Sequence, residues 1–311
     1  MRFFGKRQKK GWFALGATNR GVCVAQVAGI KDGKPVVVLC ELKQESLRDD
    51  AGVKSLVESF DLTRRQCILL LSPQEYQLLQ IEAPAVPPDE VKQAVRWKLK
   101  DMIDYPVEQA TLDVIDIPGD QNSPARSRYV YVAAARNEMV QGHMDRLLEL
   151  GAGLQVIDIP EMAQRNIAAR LEQEGRGLAM LSFNNAGGLL TFTAGGELYF
   201  ARQIETNLSQ LMEDDEERQS RVFDRVALEL QRSFDSFDRQ FPYVGVNRLM
   251  LAPFPAREAF RDFLASYLSQ QVETFALADV FDLEKVPVLE DLSLQAQLFG
   301  VLGAAMRGTV A

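Results

Sequence analysis

The stretch Gly11–Val27, GWFALGATNRGVCVAQV, sets two apolar runs on either side of a turn bounded by Gly16 and Gly21. It reads as strand, tight turn, strand, because aromatic and β-branched residues suit a pleated surface and Gly accepts the positive φ of the turn. Small residues crowd this turn, as they do where a backbone must approach a phosphate. Yet it holds no Asp, Glu or Lys to bind a metal or a phosphate. It is not a P-loop either, since Val22-Cys23 stands where Lys-Ser/Thr would reach the phosphates.

The same pattern occurs twice. The first copy has strands near 12–17, 21–29 and 35–42, with an Asp32-Gly33 turn, then a helix over Asp49–Phe60 and a strand over Cys67–Ser72. The second has strands near 177–183, 188–194 and 197–204, turning through Asn184–Gly187 and Gly195-Gly196. A helix over Arg221–Phe241 and a strand over Arg248–Ala252 follow. Copy two continues with a helix (Ala256–Ser269), a strand (Val272–Leu277) and a helix (Leu294–Arg307). Each half is therefore of βββαβαβα type, and the fold class is α/β.

Residues 73–150 interrupt copy one as an inserted α+β unit. Its strand, Tyr76–Glu82, leads to a helix opened by Pro87-Pro88-Asp89-Glu90 and expected over Asp89–Asp104, ending before Pro106. Strands near 110–117 and 128–135 and a helix from Asn137 to Leu150 complete it. Copy one then resumes with the strand Leu154–Ile159 and the helix Glu161–Leu171. The domains read as a basic tail (1–10), a first half (11–72 and 151–175), the insert (73–150) and a second half (176–311).

Composition narrows the function. The chain has 311 residues, a formal net charge of −8, three cysteines and one histidine. Cys23, Cys40 and Cys67 lie in apolar runs without CxxC spacing, so they read as buried thiols of a cytoplasmic protein. His143 reads as a surface residue, and zinc or haem is not expected. The first ten residues, MRFFGKRQKK, are basic, so the rest of the chain is more acidic than its total charge. An acidic body argues against nucleic acid as a partner. The basic head with Phe3 and Phe4 suits peripheral contact with an anionic membrane, or else a solvated terminus. No run approaches the roughly 20 apolar residues of a membrane span, and no signal peptide is expected. The apolar run Leu298–Met306 reads as a buried helix.

Two facing halves of this type resemble the actin-like ATPase superfamily, of ribonuclease H-like fold, whose two opening hairpins hold nucleotide phosphates. The insert makes the resemblance narrower. SPQEYQLLQIEAPAVPPDEVKQAVRWKLKDMIDYPVEQATLDVIDIP (72–118) and YVYVAAARNEMVQGHMDRLLELGAGLQVIDIPEMAQRNIAARL (129–171) resemble the PilM-like proteins of type IV pilus assembly. Within that group they resemble the MshI branch of MSHA-pilus biogenesis. The likeness is weak over 205–220, where the family's 2B subdomain would lie, so a reduced 2B is expected there beside the 2A body. The insert corresponds to a 1C-like subdomain on a 1A body.

The resemblance places phosphate hairpins at Gly16, Ala17, Thr18 and Asn19 and at Asn185 and Gly187. The family's first hairpin acid falls on Ala14 and its second on Ser182, and Pro253-Phe254-Pro255 replaces an adenosine-binding Gly-Gly pair. Magnesium-assisted phosphoryl transfer needs oxygen ligands, so the expected reading is a pseudo-ATPase with vestigial hairpins, no catalytic residues and no metal, while weak ATP binding through Thr18, Asn19, Asn185 and Gly187 without metal stays open. Asp158 and Glu161, the nearest acids, read as first-turn acids of a helix. The rival readings are an active actin-like ATPase using nonstandard polar residues, and a sugar-kinase-like enzyme that lacks the same acids.

The resemblance also implies a partner. In PilM-like proteins a groove beside the insert holds the cytoplasmic tail of a PilN-like bitopic inner-membrane protein. That implies a cytoplasmic scaffold, peripheral at the inner membrane, touching other proteins of the pilus-assembly platform. Trp97, off the apolar stripe of its helix, and Tyr129 and Tyr131, sharing one strand face, are the candidate partner-binding residues. Each has a plainer reading as a packing residue. The acidic run Glu213–Glu217 reads as a solvated turn or helix start.

Overall fold

The Gly16–Gly21 turn joins β1 (Trp12–Thr18) to β2 (Gly21–Lys31), an antiparallel pair in which Gly16 faces Cys23. The computed structural model describes residues 11–87, 90–120 and 128–308. β3 (Lys34–Lys43) extends the meander, α1 (Asp50–Phe60) crosses over, and β4 (Gln66–Leu70) pairs parallel to β1. α1 starts where Asp49 accepts the Gly52 N–H and ends on Asp61 in the left-handed region.

The insert consists of β5 (Tyr76–Glu82), α2 (Val91–Leu99), β6 (Ala110–Asp116), β7 (Tyr129–Arg136) and α3 (Asn137–Glu149), with sheet order β5-β7-β6. The chain then returns through β8 (Leu154–Asp158), which closes the first sheet as β3-β2-β1-β4-β8, and α4 (Pro160–Ala168).

The second half repeats the design. β9 (Gly177–Phe183), β10 (Gly188–Ala194) and β11 (Glu197–Ile204) form its meander. α5 (Leu208–Leu211), α6 (Glu216–Gln240), β12 (Val246–Leu251), α7 (Arg257–Tyr267), β13 (Gln271–Thr274), α8 (Leu277–Val280) and α9 (Leu292–Ala305) follow. Its sheet order, β11-β10-β9-β12-β13, matches the first position by position. The expected fold class, two α/β halves with an α+β insertion, is the one observed.

The last helices of the halves are exchanged. α4 packs on β9, β10 and β11 of the second sheet, while α9 packs on β1 to β4 of the first. They cross where a Cβ on Gly303 would stand 2.2 Å from the Ala163 carbonyl oxygen, so the crossing needs glycine. Asn166 Nδ2 donates to the Gly303 carbonyl at 3.0 Å beside it. α9 is apolar nearly all round because both halves bury it. Below the crossing, the Val37 N–H donates to the Asp282 carbonyl and the Asp282 N–H to the Pro35 carbonyl, tying β3 to the second half.

Several boundaries differ from expectation: α4 stops at Ala168 rather than Leu171, β13 stops at Thr274 while Leu277 opens α8, and two further differences have a visible cause. α2 stops at Leu99 rather than Asp104, while Pro88 and Asp89 of its expected start lie outside the described residues. Beyond Leu99 the chain turns so that Ile103, Tyr105 and Val107 enter the core of the insert, and Arg136 stacks over the Tyr105 ring at 4.2 Å. A straight helix would carry these residues past that core. α6 begins earlier than expected, at Glu216, because Asp215 accepts the Arg218 N–H at 2.9 Å and Glu216 and Glu217 favour its N-terminal dipole. No helix among the described residues is long and apolar enough to cross a membrane, and the basic segment 1–10 lies outside them.

Candidate functional site

Both hairpin turns line one cleft of about 1190 Å³ between the halves. Gly16, Ala17, Thr18 and Asn19 form one rim, and Asn185 and Gly187 part of the other, so the six residues expected at the phosphate hairpins are brought together. α9 supplies the floor through Gln297, Gly300 and Val301. Gln164 and Gln203 line the second-half side, and the loops Gln44–Arg48 and Ser72–Gln74 the first-half side.

The turn groups are largely engaged with one another. Thr18 Oγ1 accepts the Arg20 N–H at 3.2 Å and donates to the Gly21 carbonyl at 3.0 Å. Asn184 Oδ1 accepts the N–H groups of Ala186 (2.7 Å) and Gly187 (3.2 Å). These side-chain turns satisfy donors that an anion would otherwise collect. Gly16 answers a packing demand as well, for a Cβ there would meet Val301 Cγ1 of α9 at 3.1 Å.

Where the hairpin acids would stand, Ala14 is fully buried in its sheet, and Ser182 donates from Oγ to Gln164 Oε1 at 2.5 Å. Gln164 Nε2 in turn donates to the carbonyls of Met180 and Leu189 and to Thr191 Oγ1, fixing α4 to the second meander. After β12 the Pro253-Phe254-Pro255 turn sends Phe254 into the core, against Phe183 and Phe260, and not into the cleft. Among the described lining residues Glu45 is the carboxylate and Arg20 and Arg48 are the cations. Among the described residues no group of three His, Cys, Asp or Glu side chains is placed to hold a metal ion.

Asp158 and Glu161 do not line this cleft. Asp158 accepts its neighbour's N–H from Ile159 (2.9 Å) and an ion pair from Arg307 (3.3 Å). Glu161, only 2% exposed, opens α4 and accepts from Tyr76 Oη at 2.5 Å and Gln203 Nε2 at 2.9 Å. Burial pushes both carboxyls upward, against these donors. Tyr76 belongs to the insert, Glu161 to α4 and Gln203 to β11, so this contact joins all three parts of the molecule.

The three candidate partner residues do not form one surface. Trp97 stands on α2, 76% exposed. α2 packs through Val95 and Leu99 on the face of β7 that presents Val130, Val132 and Ala134. Tyr129 and Tyr131 point to the opposite face. Tyr131 is 3% exposed, and its hydroxyl accepts the Ala201 N–H of β11 at 2.9 Å. Tyr129 is partly buried against the same second-half core.

Several residues of the cleft and its supports carry no sequence motif: Gln164, Gln203, Arg20, Arg48 and the Tyr76–Glu161 pair. Gln164 leaves one trace, a polar residue among the core-facing positions Ala163, Ile167 and Ala168 of α4.

Comparison with solved structures decides the fold. Over 96% of its length the chain aligns with 98% of a chain from a PilM-PilN type IV pilus biogenesis complex, at a TM-score of 0.72 and 20% identity. The chain has the actin-like ATPase fold. A Bacteroides thetaiotaomicron protein with actin-like ATPase fold and unknown function aligns over 93% of this chain and 99% of its own, at a TM-score of 0.51 and 12% identity. No protein-family model and no curated protein matches the sequence. The hairpins of this actin-like chain thus sit where the fold brings two opening turns together, with their own side chains closing them.

Proposed function

We propose that the chain is a cytoplasmic scaffold of a type IV pilus assembly platform, of the MSHA type, peripheral at the inner membrane. It binds the cytoplasmic N-terminal tail of a PilN-like inner-membrane protein beside its insert. The observation that carries this reading is the alignment with the PilM-PilN complex, which takes in nearly the whole of both chains and so includes the insert. The sequence likeness over 72–171 supports it independently.

On this reading the actin-like cleft is a pseudo-ATPase site. The residues present do not fit a magnesium nucleotide: both hairpin acids are replaced, turn N–H groups are already accepted by Thr18 and Asn184, and Phe254 is turned into the core. The support is chemical, since a triphosphate needs its charge neutralised by metal and by free donors.

The deciding experiment is a calorimetric titration with the synthetic N-terminal tail of a PilN-like inner-membrane protein from the same organism. Saturable binding, weakened by Trp97→Ala without loss of the folded state, is expected. No binding would sink the scaffold reading; binding untouched by Trp97→Ala would move the site off α2. A parallel titration with ATP and magnesium is expected to release no binding heat, and magnesium-dependent affinity would restore the ATPase reading.

A further inference from the structure

The rim of the cleft carries two cations that form no ion pair among the described residues. Arg20 lies in the first hairpin turn and Arg48 in the loop after β3, and both are exposed. Among the described residues neither guanidinium has a hydrogen-bond or ion-pair partner, whereas Arg165, Arg248 and Arg261 all pair with carboxylates. Glu45, the carboxylate of the lining, accepts from Ser55 Oγ at 3.2 Å. Two arginines against one glutamate leave the described lining with an excess of one positive charge on a concave surface, in a chain of net charge −8.

The interior of the cleft is rich in amides. Gln44, Gln74, Gln203 and Gln297 all line it. The cleft, at about 1190 Å³, exceeds the roughly 300–1,000 Å³ typical of small-molecule sites.

We propose that this cleft takes an acidic polypeptide segment, its carboxylates on Arg20 and Arg48 and its backbone amides on the glutamine side chains, with no divalent metal. A polypeptide fits better than a nucleotide for three reasons. Its charges are spread along the chain and can be met by two guanidiniums carried on different loops. Its backbone N–H and carbonyl groups match the glutamine side chains of the lining, Gln44 and Gln74 among them. It does not need the turn N–H groups that Thr18 and Asn184 already occupy. The inference stands apart from tail binding beside the insert and does not depend on it.

The test is fluorescence anisotropy of a labelled Asp/Glu-rich decapeptide against the full chain, with EDTA present, beside the Asn/Gln version of the same peptide. The acidic peptide is expected to bind saturably, to weaken as ionic strength rises and to be indifferent to EDTA. Arg20→Ala and Arg48→Ala should each weaken it about tenfold, the scale of one charge-assisted hydrogen bond. Both side chains are exposed and unpaired, so the variants should melt as the parent does. Equal binding of the two peptides, or arginine variants that bind like the parent, would overturn the proposal. So would magnesium-dependent displacement of the peptide by ATP. Failure of the PilN-tail titration with this binding intact would remove only the scaffold reading.

Discussion

Glu75, on the loop between β4 and β5, accepts the backbone N–H and the hydroxyl of Ser72 on Oε2, each at 2.8 Å, and pairs through Oε1 with His143 Nε2 at 2.8 Å. Burial opposes its charge, but His143 and Ser72 outweigh burial and hold the carboxyl down at about 2, against an ordinary 4.5. A carboxyl whose pKa folding lowers adds stability that is full above the unfolded value and fades as pH falls through the folded one. The stability gap between the parent and Glu75→Gln should therefore be largest above 4.5, at up to about 3 kcal/mol, and close as pH approaches 2. Urea unfolding at a series of pH values measures it, and a gap independent of pH would rule out the charge as its source. His143 looked like a surface residue in the sequence, yet its side chain is only 11% exposed. Its partner lies 68 residues away on another element, and nothing local in the sequence announces such a pair.

Among the elements, the hairpins were legible because Gly-bounded turns and period-two patterning are local signals. The length of α2 was not, since the pull of Ile103 and Tyr105 into the insert's core is tertiary. A pair of helical glycines, Gly142 and Gly303, shows the same division. In α3, a Cβ added at Gly142 would meet nothing within 4 Å, so Gly142→Ala should stabilise by up to about 1 kcal/mol through helix propensity alone. In α9, Gly303→Ala gains the same propensity but drives its Cβ to 2.2 Å from the Ala163 carbonyl oxygen. It should destabilise by about 2 kcal/mol or more. Denaturant midpoints of the two variants, compared at equal slope, check both signs. A neutral Gly303→Ala would show that the α4–α9 crossing can shift.

The whole molecule is held by exchange. α4 belongs to the first copy in sequence and covers the second sheet; α9 does the reverse. Neither half can bury its apolar sheet face with its own copy's last helix, so the two should unfold as one cooperative unit. A chain ending at Glu290, without α9, is expected to lose the sharp unfolding transition altogether, not to retain a folded first half. Thermal circular dichroism shows which, and a retained cooperative transition would mean the first sheet is stable uncovered.

The repeated βββ meanders, the insert between them and the missing hairpin acids could all be read along the chain, because turn residues, strand alternation and absent carboxylates are written locally. What those features serve emerged only once the halves were packed together. Packing placed Gly16 beneath Val301, joined Tyr76 to Glu161 and Gln203, and left Arg20 and Arg48 at one rim. Each of these depends on where the helix exchange sets one half against the other, and no period or motif along a single chain encodes that distance.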